Sequence, residues 1–165
     1  MQSYNLSKIN VLILDSNSLI RRLMSAVFHE FGVRKGRNTG DPDAAFEMFQ
    51  SNTPDLIISD WSPDLDGLEF IKRIRSNPDS PDPFVPIIVC TGNTEKHHVC
   101  TARDAGITEF LAKPVSAKSI YSRIVAVIEN HRKFIRYRDY FGPDRRRHKE
   151  TFVRVERRKA LAAAI

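Results

Sequence analysis

The sequence predicts an α/β fold in which a five-stranded parallel sheet has helices on both faces. Short apolar runs rich in branched residues alternate with longer segments whose apolar residues recur at helical spacing. Five runs and five segments follow one another in this way between residue 9 and about residue 134. Because parallel strands are joined through right-handed helical crossovers, this alternation favours a doubly wound sheet.

Two strands and one helix are predicted in the first part of the chain. Residues 9–14 form a short apolar run that ends at Asp15, as expected for a buried strand. Residues 17–32 have apolar side chains at helical spacing, and Gly32 suits the end of that helix. The polar residues 33–38 make a weak second strand, which we expect at an edge of the sheet.

The third strand lies between two helices. Asp41 and Pro42 suit the N-cap and the first position of a helix. Residues 56–59 form the third apolar run. Asp66 and Gly67 then begin the next helix, which ends before a proline-containing loop.

Two further strands and two helices complete the pattern. Residues 86–91 and 107–112 are the fourth and fifth apolar runs, and Gly106 closes the helix between them. A long last helix is predicted from Ser116, with apolar positions that extend to Ile135.

The charge of the chain changes near the end of this pattern. From residue 131 onward there are twelve Lys and Arg against four Asp and Glu, a net charge of +8, whereas residues 1–130 have a net charge of −2. We predict a folded domain over residues 1–134 and a basic, Arg-rich extension over residues 135–165 without a core of its own. Residues 153–164 could form a short helix within it.

The composition excludes several classes of protein. Hydrophobic residues make up 41% and charged residues 28% of the chain, as in ordinary soluble domains. No apolar run approaches the roughly 20 residues of a membrane span, and no secretory signal is visible. Cys90 and Cys100 are too few for a disulfide framework, so we expect a cytoplasmic protein.

Four predicted strands end at polar side chains. Asp15 follows the first strand, Asp60 the third and Lys113 the fifth, while Thr91 ends the fourth. The carboxyl ends of parallel strands meet at one edge of the sheet, where α/β proteins bind ligands. Two carboxylates there repel unless a cation is present, and Mg²⁺ with oxygen ligands meets that need. This set suits phosphoryl transfer to an aspartate, with Asp60 as the phosphoacceptor.

Four stretches of sequence resemble a known family. They are, in chain order, VLILDSNSLIRR, LIISDWSPDLDGLEFIKRIR, PIIVCTGN and AGITEFLAKP, which span roughly residues 8–130. The sequence resembles the receiver domains of two-component response regulators, and in particular the single-domain chemotaxis regulators. The resemblance implies a flavodoxin-like sheet of order 2-1-3-4-5. It also implies a signalling domain, not an enzyme, that accepts a phosphoryl group from a sensor histidine kinase or histidine phosphotransfer protein and signals by binding a downstream protein.

The resemblance assigns roles to individual residues. Asp60 is then the phosphorylation site, Asp15 belongs to the acidic pocket that binds Mg²⁺, and Lys113 binds the phosphoryl group. Thr91 and Phe110 occupy the hydroxyl and aromatic switch positions. The peptide bond between Lys113 and the following proline is a candidate for the cis form.

Two features depart from the family pattern. A second acidic residue usually follows the first strand, whereas this chain has Ser16, which should weaken Mg²⁺ binding and slow phosphorylation. The loop after Asp60 is one residue shorter, since Pro63 directly follows Ser62, whose backbone carbonyl would also bind the metal. These departures leave open a degenerate receiver that acts as a phosphorylation-independent interaction module.

Other candidate ligands have plainer interpretations. His97, His98 and Cys100 could indicate zinc, but successive histidines do not share a helix face and no second pair follows, so the sequence does not favour that site. Asp64 is interpreted as a solvated loop residue and Asp66 as an N-cap.

The function of the extension is left open. The segment YFGPDRRRHK interleaves aromatic residues with arginines, which suits an acidic protein surface, anionic lipid or nucleic acid. It contains no recognisable DNA-binding motif, so a nucleic-acid-binding regulator is an alternative function, beside a merely solvated extension. Trp61 could likewise be a partner contact or an ordinary loop aromatic.

Overall fold

The computed structural model describes residues 4–146, in which five parallel strands form one sheet of order β2-β1-β3-β4-β5. The strands are β1 (Asn10–Leu14), β2 (Lys35–Thr39), β3 (Leu56–Asp60), β4 (Ile87–Thr91) and β5 (Glu109–Ala112). The helices that follow them are α1 (Ser18–Glu30), α2 (Pro42–Ser51), α3 (Gly67–Ser76), α4 (Lys96–Asp104) and α5 (Ala117–Glu129). The predicted fold class and strand order are confirmed.

The sheet separates two apolar layers. Side chains alternate between its faces along each strand. Val11 and Ile13 face α1 and α5, which contribute Phe28 and Ile124 to that layer. Leu12 lies in the other layer, under α2, α3 and α4. The strands β1, β3 and β4 are buried at every position, whereas the polar β2 lies at an edge as predicted.

Side-chain caps fix where most of the helices begin. Asp41 and Asp66 accept hydrogen bonds from backbone N–H groups at the starts of α2 and α3, as predicted. Ser116 and Ser119 form a capping box at the start of α5. The helix α4 differs, because its N-cap residue Glu95 makes no side-chain capping hydrogen bond. Its carboxylate is therefore free for other contacts.

The last helix is shorter than predicted. It ends at Glu129, and Ile135 lies in a β-hairpin formed by β6 (Phe134–Tyr137) and β7 (Tyr140–Pro143). The prediction was wrong because Ile135 continues the spacing of the preceding apolar residues, although the chain has already left the helix. The hairpin was missed because its turn contains no glycine or asparagine; Arg138 supplies the positive φ of 52°.

The hairpin packs at the amino-terminal edge of the sheet. Phe134 and Phe141 cluster with Phe84, and the three ring centroids are 5.2, 5.3 and 5.6 Å apart. Tyr140 is buried and donates its hydroxyl hydrogen to the Pro143 carbonyl at 2.6 Å. The extension therefore begins with a packed segment, contrary to the expected lack of a core. The helix expected over residues 153–164 lies outside the described residues, and the division at residue 134 stays a prediction.

Arg75 joins the end of α3 to the hairpin and to two loops. The residue is 3% exposed, and it donates from Nε to the Gly106 carbonyl at 3.0 Å and from Nη1 to the Pro83 carbonyl at 2.7 Å. Its guanidinium carbon lies 5.1 Å from the centre of the Phe134 ring. Burial lowers the pKa of Arg75 to about 10, which leaves the group charged at neutral pH. A buried cation held by carbonyl groups thus anchors the hairpin.

Replacing Arg75 with alanine should destabilise the fold. The substitution removes two buried charge-assisted hydrogen bonds and leaves two carbonyls without a donor, so we expect the free energy of unfolding to fall by about 2 kcal/mol. Urea denaturation measures the change. The control is Lys72→Ala on the same helix, whose side chain is 61% exposed and which should change stability little. Equal losses in the two variants would contradict the anchoring role.

Candidate functional site

A cavity of about 420 Å³ opens at the carboxyl edge of the sheet. The side chains in its wall come from the ends of β3, β4 and β5, from the loops that follow β3 and β4, and from α4, and they include Asp60, Trp61, Thr91, Asn93, His98 and Lys113. Two of these strands, β3 and β4, are central and buried at every position, so they give the cavity a largely rigid floor. This is the edge at which parallel α/β sheets bind ligands.

Lys113 connects two buried carboxylates in this region. Its Nζ donates to Asp15 Oδ2 at 2.8 Å and to Asp60 Oδ1 at 2.8 Å. Both carboxylate side chains are 2% exposed, whereas the Lys113 side chain is 22% exposed. One ammonium therefore balances two carboxylates, and the group of three retains a net negative charge.

The pKa of Lys113 reflects two opposing effects. Burial is the largest single influence and would lower the pKa, because it penalises the charged ammonium. The hydrogen bonds and charges of Asp15 and Asp60 together outweigh burial, so the pKa of Lys113 is raised. The lysine is consequently a permanent cation at neutral pH.

Asp15 is held by the backbone at the start of α1. Its Oδ1 accepts a hydrogen bond from the Asn17 N–H at 2.8 Å, while its own carbonyl accepts one from Arg21 Nη1 at 2.6 Å. The same guanidinium nitrogen reaches the Ser16 carbonyl at 3.1 Å. Ser16 is exposed, so the position where the family pattern has a second acid places a neutral hydroxyl at the surface.

The loop after Asp60 is compact. Ser62 and Leu65 form an isolated bridge, in which the Leu65 N–H donates to the Ser62 carbonyl at 3.1 Å and the Ser62 N–H donates back at 3.2 Å. A Cβ on Gly67 would lie 1.8 Å from the Asp60 carbonyl oxygen, so only glycine allows α3 to begin this close to the strand end. The shortened loop is therefore closed by this bridge and by a glycine that lets α3 begin against the end of β3.

The wall of the cavity contains an unsatisfied polar atom. Ser62 Oγ is buried and has no hydrogen-bond partner among residues 4–146. Such an atom costs free energy unless a ligand or water binds it. With two carboxylates, an ammonium and the Thr91 hydroxyl nearby, the unsatisfied hydroxyl suits a cavity for polar, oxygen-rich ligands.

The fourth and fifth strand ends are tied together. Thr91 is buried, and its Oγ1 accepts a hydrogen bond from the Asn93 N–H at 3.1 Å. The Lys113 N–H donates to the Thr91 carbonyl at 2.9 Å, next to a Lys113-Pro114 peptide bond that is cis, as expected. Phe110 is half-buried on β5 and packs against the layer that contains α4.

The structure brings together the polar residues that the sequence places at the strand ends. Asp15 and Asp60 meet at Lys113, and Thr91 lies in the wall of the same cavity. Sequence reasoning missed Asn93 and His98 as cavity residues. The proximity of Asn93 to Thr91 in the chain could have indicated the first, whereas no signal indicated that His98 turns toward this edge.

Comparisons with known proteins agree on one family. A family model described as the response regulator receiver domain matches residues 11–125. The chemotaxis protein CheY-3 of Vibrio cholerae serotype O1 is 23% identical over 120 residues, which cover 72% of this chain and 91% of that protein. The chemotaxis protein CheY of Pseudomonas aeruginosa is also 23% identical over 120 residues, with coverages of 72% and 95%.

A solved structure gives the same result. The chemotaxis response regulator CheY4 of Vibrio cholerae has a TM-score of 0.65 and 27% sequence identity, and the match covers 72% of this chain and 98% of that chain.

Within residues 4–146, no helix is both long and apolar enough to cross a membrane.

The two cysteines should differ in reactivity. Cys90 is fully buried in β4, and desolvation raises the pKa of its thiol to about 12 despite the opposing effect of Lys113. Cys100 on α4 is half-buried. Because the thiolate is the reactive form, native protein at about pH 8 should titrate one thiol with Ellman's reagent, and unfolded protein both. Rapid labelling of a native Cys100→Ser variant would show that Cys90 is accessible after all.

Replacing Lys113 with methionine should expose the repulsion between the two carboxylates. We expect a loss of on the order of 2 kcal/mol in the free energy of unfolding, less than for a fully buried pair because the lysine is partly exposed. Urea denaturation at neutral pH measures it, with the exposed Lys118→Met as control. The loss should shrink when Asp60→Asn is also present. An equal loss in both backgrounds would mean that the Asp60 charge is not what Lys113 balances.

Proposed function

The chain belongs to the response regulator receiver domain family, and from this premise we propose that it accepts a phosphoryl group on Asp60. Receiver domains act in two-component signalling and are signalling domains, not enzymes in the usual sense. The donor would be a phosphohistidine on a sensor histidine kinase or a histidine phosphotransfer protein, met in the cytoplasm. The output would be binding to a downstream protein.

The placement of Asp60 beside Lys113 is the observation that supports this proposal most. An Asp60 carboxylate oxygen would attack phosphorus as the bond between phosphorus and the donor imidazole nitrogen breaks, and the imidazole would regain a proton from solvent. Lys113 Nζ already lies 2.8 Å from Asp60 Oδ1, where it can balance charge on the phosphoryl oxygens. Thr91 lies in the same cavity wall and can donate its hydroxyl hydrogen to one of those oxygens.

The donor set fits the Mg²⁺ that receiver domains typically bind at an acidic pocket. Asp15 and Asp60 share one ammonium, so the pocket keeps a negative charge that favours a divalent cation. These two carboxylates and the Ser62 carbonyl would hold the ion, which when bound neutralises charge on the phosphoryl oxygens. Ser16 offers only a neutral hydroxyl, so we propose weaker Mg²⁺ binding than a second carboxylate would give.

A second cavity indicates where the output face would lie. It measures about 310 Å³ and lies between α4, β5 and the C-terminal segment, with Val99, Arg103, Glu109, Phe110, Arg132 and Arg145 in its wall. We propose that phosphorylation draws Thr91 toward the phosphoryl group and lets Phe110 reorient, which changes the shape of this face. The arginines would favour an acidic partner.

A degenerate receiver is the competing function. Two observations favour it: Ser16 stands exposed in place of an acid, and Lys113 already bonds both remaining carboxylates. In that case the α4 and β5 face would bind its partner without phosphorylation. Binding of Mg²⁺ distinguishes the two functions, because a constitutive module needs no metal.

Incubation with acetyl phosphate and Mg²⁺ should add one phosphoryl group to the protein. Intact-mass spectrometry should show the added mass, and Asp60→Asn should remove it. The matched control is Asp64→Asn, an exposed residue in the same loop that should leave phosphorylation intact.

Two results would contradict the phosphoacceptor function. One is the absence of phosphorylation with acetyl phosphate and with every histidine kinase tried. The other is a phosphoryl group that Asp60→Asn does not remove. Absence of phosphorylation together with unchanged Trp61 fluorescence during a Mg²⁺ titration to tens of millimolar would favour the constitutive interaction module.

A further inference from the structure

Three side chains with metal-binding atoms cluster at the start of α4. They are Glu95, His97 and His98, and one ligand atom from each lies within 4.8 Å of the others. His97 Nδ1 is 3.3 Å from Glu95 Oε2, and the two imidazole ring centroids are 4.2 Å apart. Successive histidines in a helix are expected to diverge around its axis, which is why the sequence does not favour a site here. In this first turn their rings converge, and Glu95 takes the place that the sequence suggested for Cys100.

One nitrogen of the His98 ring has no hydrogen-bond partner in the described part of the chain. Its Nδ1 is buried and has no hydrogen-bond partner among residues 4–146. Its Nε2 lies 3.2 Å from Asn93 Nδ2, and because an amide nitrogen only donates, this hydrogen bond places the ring proton on Nδ1. Coordination through Nδ1 would move that proton to Nε2 and replace the hydrogen bond with Asn93. The ring packs against Trp61 with centroids 4.9 Å apart. The ring is thus held in place by neighbours on two sides. A buried ring nitrogen without a partner is costly, and coordination to a metal ion is one way in which proteins satisfy it.

The Glu95 carboxylate is free to act as the third ligand beside the two histidines. As the N-cap residue of α4 it makes no side-chain capping hydrogen bond, and its side chain is 69% exposed. The His97 side chain is 68% exposed. Both can therefore rotate by the small amount needed to bring three ligand atoms within about 2.0–2.2 Å of one ion. The positive end of the helix dipole disfavours a cation here, and the Glu95 carboxylate offsets that effect.

We propose that Glu95, His97 and His98 bind a divalent transition-metal ion of the zinc and nickel class. Two imidazoles and one carboxylate are a borderline-soft donor set that selects such ions over Mg²⁺, which prefers oxygen ligands. Three protein ligands leave one position open for water or for a group from a partner. The site is distinct from the Asp15 and Asp60 pocket in its donors, although His98 lies in the wall of the same cavity.

Trp61 reports binding at this site. It is the single tryptophan of the chain, and its ring contacts His98. Titration of tag-free protein with Ni²⁺, a paramagnetic quencher, should reduce Trp61 fluorescence along a saturable one-site curve. Zn²⁺ should compete with Ni²⁺ at micromolar concentration, whereas millimolar Mg²⁺ should not. Isothermal titration calorimetry with Zn²⁺ in millimolar Mg²⁺, which occupies the Asp15 and Asp60 pocket, should give one site of micromolar affinity per chain.

Variants distinguish this site from other sources of metal binding. His97→Ala and Glu95→Gln should each weaken Ni²⁺ and Zn²⁺ affinity at least tenfold, with folding checked by circular dichroism. His131→Ala, Cys100→Ser and Asp60→Asn should leave affinity unchanged, since these residues lie outside the cluster. Loss of quenching in Asp60→Asn alone would place the ion in the phosphoacceptor pocket and overturn the proposal. So would affinity that survives both cluster variants, or the absence of saturable binding in the intact protein.

Discussion

The ammonium of Lys113 between two buried carboxylates is the interaction on which the whole carboxyl edge depends. Asp15 and Asp60 are each 2% exposed, and without a nearby cation one of them would have to take up a proton or draw in water. The lysine follows β5, while the two acids follow β1 and β3, so the ion pairs join strand ends that are 98 and 53 residues apart in sequence. The same ion pairs therefore neutralise charge in the site and hold three strand ends together.

The amino-terminal edge of the sheet also contains a buried charge, but there it is a cation without a carboxylate hydrogen-bonded to it in the part of the chain that the structure describes. There, a buried cation, Arg75, donates to two neutral carbonyls and lies 5.1 Å from the centre of the Phe134 ring, which packs against Phe84 and Phe141. Its Nε and Nη1 donate to those carbonyls, whereas Nη2 is buried without a hydrogen-bond partner among residues 4–146. At the carboxyl edge, two acids share one base and polar atoms lack partners. The excess of negative charge at the carboxyl edge is what suits that edge to a cation and its ligands.

Much of this arrangement could be predicted from the sequence, and the reasons for the failures are physical. Strands buried on both faces leave continuous apolar runs, and the residue that ends each run is fixed at a common edge, which is why Asp60 and Lys113 could be placed together. The hairpin could not be predicted, because Arg138 provides its positive φ and the aromatic cluster joins residues distant in sequence. The histidine cluster was missed because ring positions in the first turn of a helix depend on side-chain rotamers. The spacing of residues in the sequence does not determine those rotamers.

The late position of the hairpin in the chain has a consequence for the order of folding. It contacts Phe84, in the loop before β4, and Arg75, at the end of α3, which in turn binds the Gly106 carbonyl before β5, so the hairpin packs on groups that the assembled sheet brings together. Interactions made after the rate-limiting step slow unfolding without accelerating folding. A hairpin that docks after that step would therefore lengthen the lifetime of the native sheet without changing the rate at which the sheet folds.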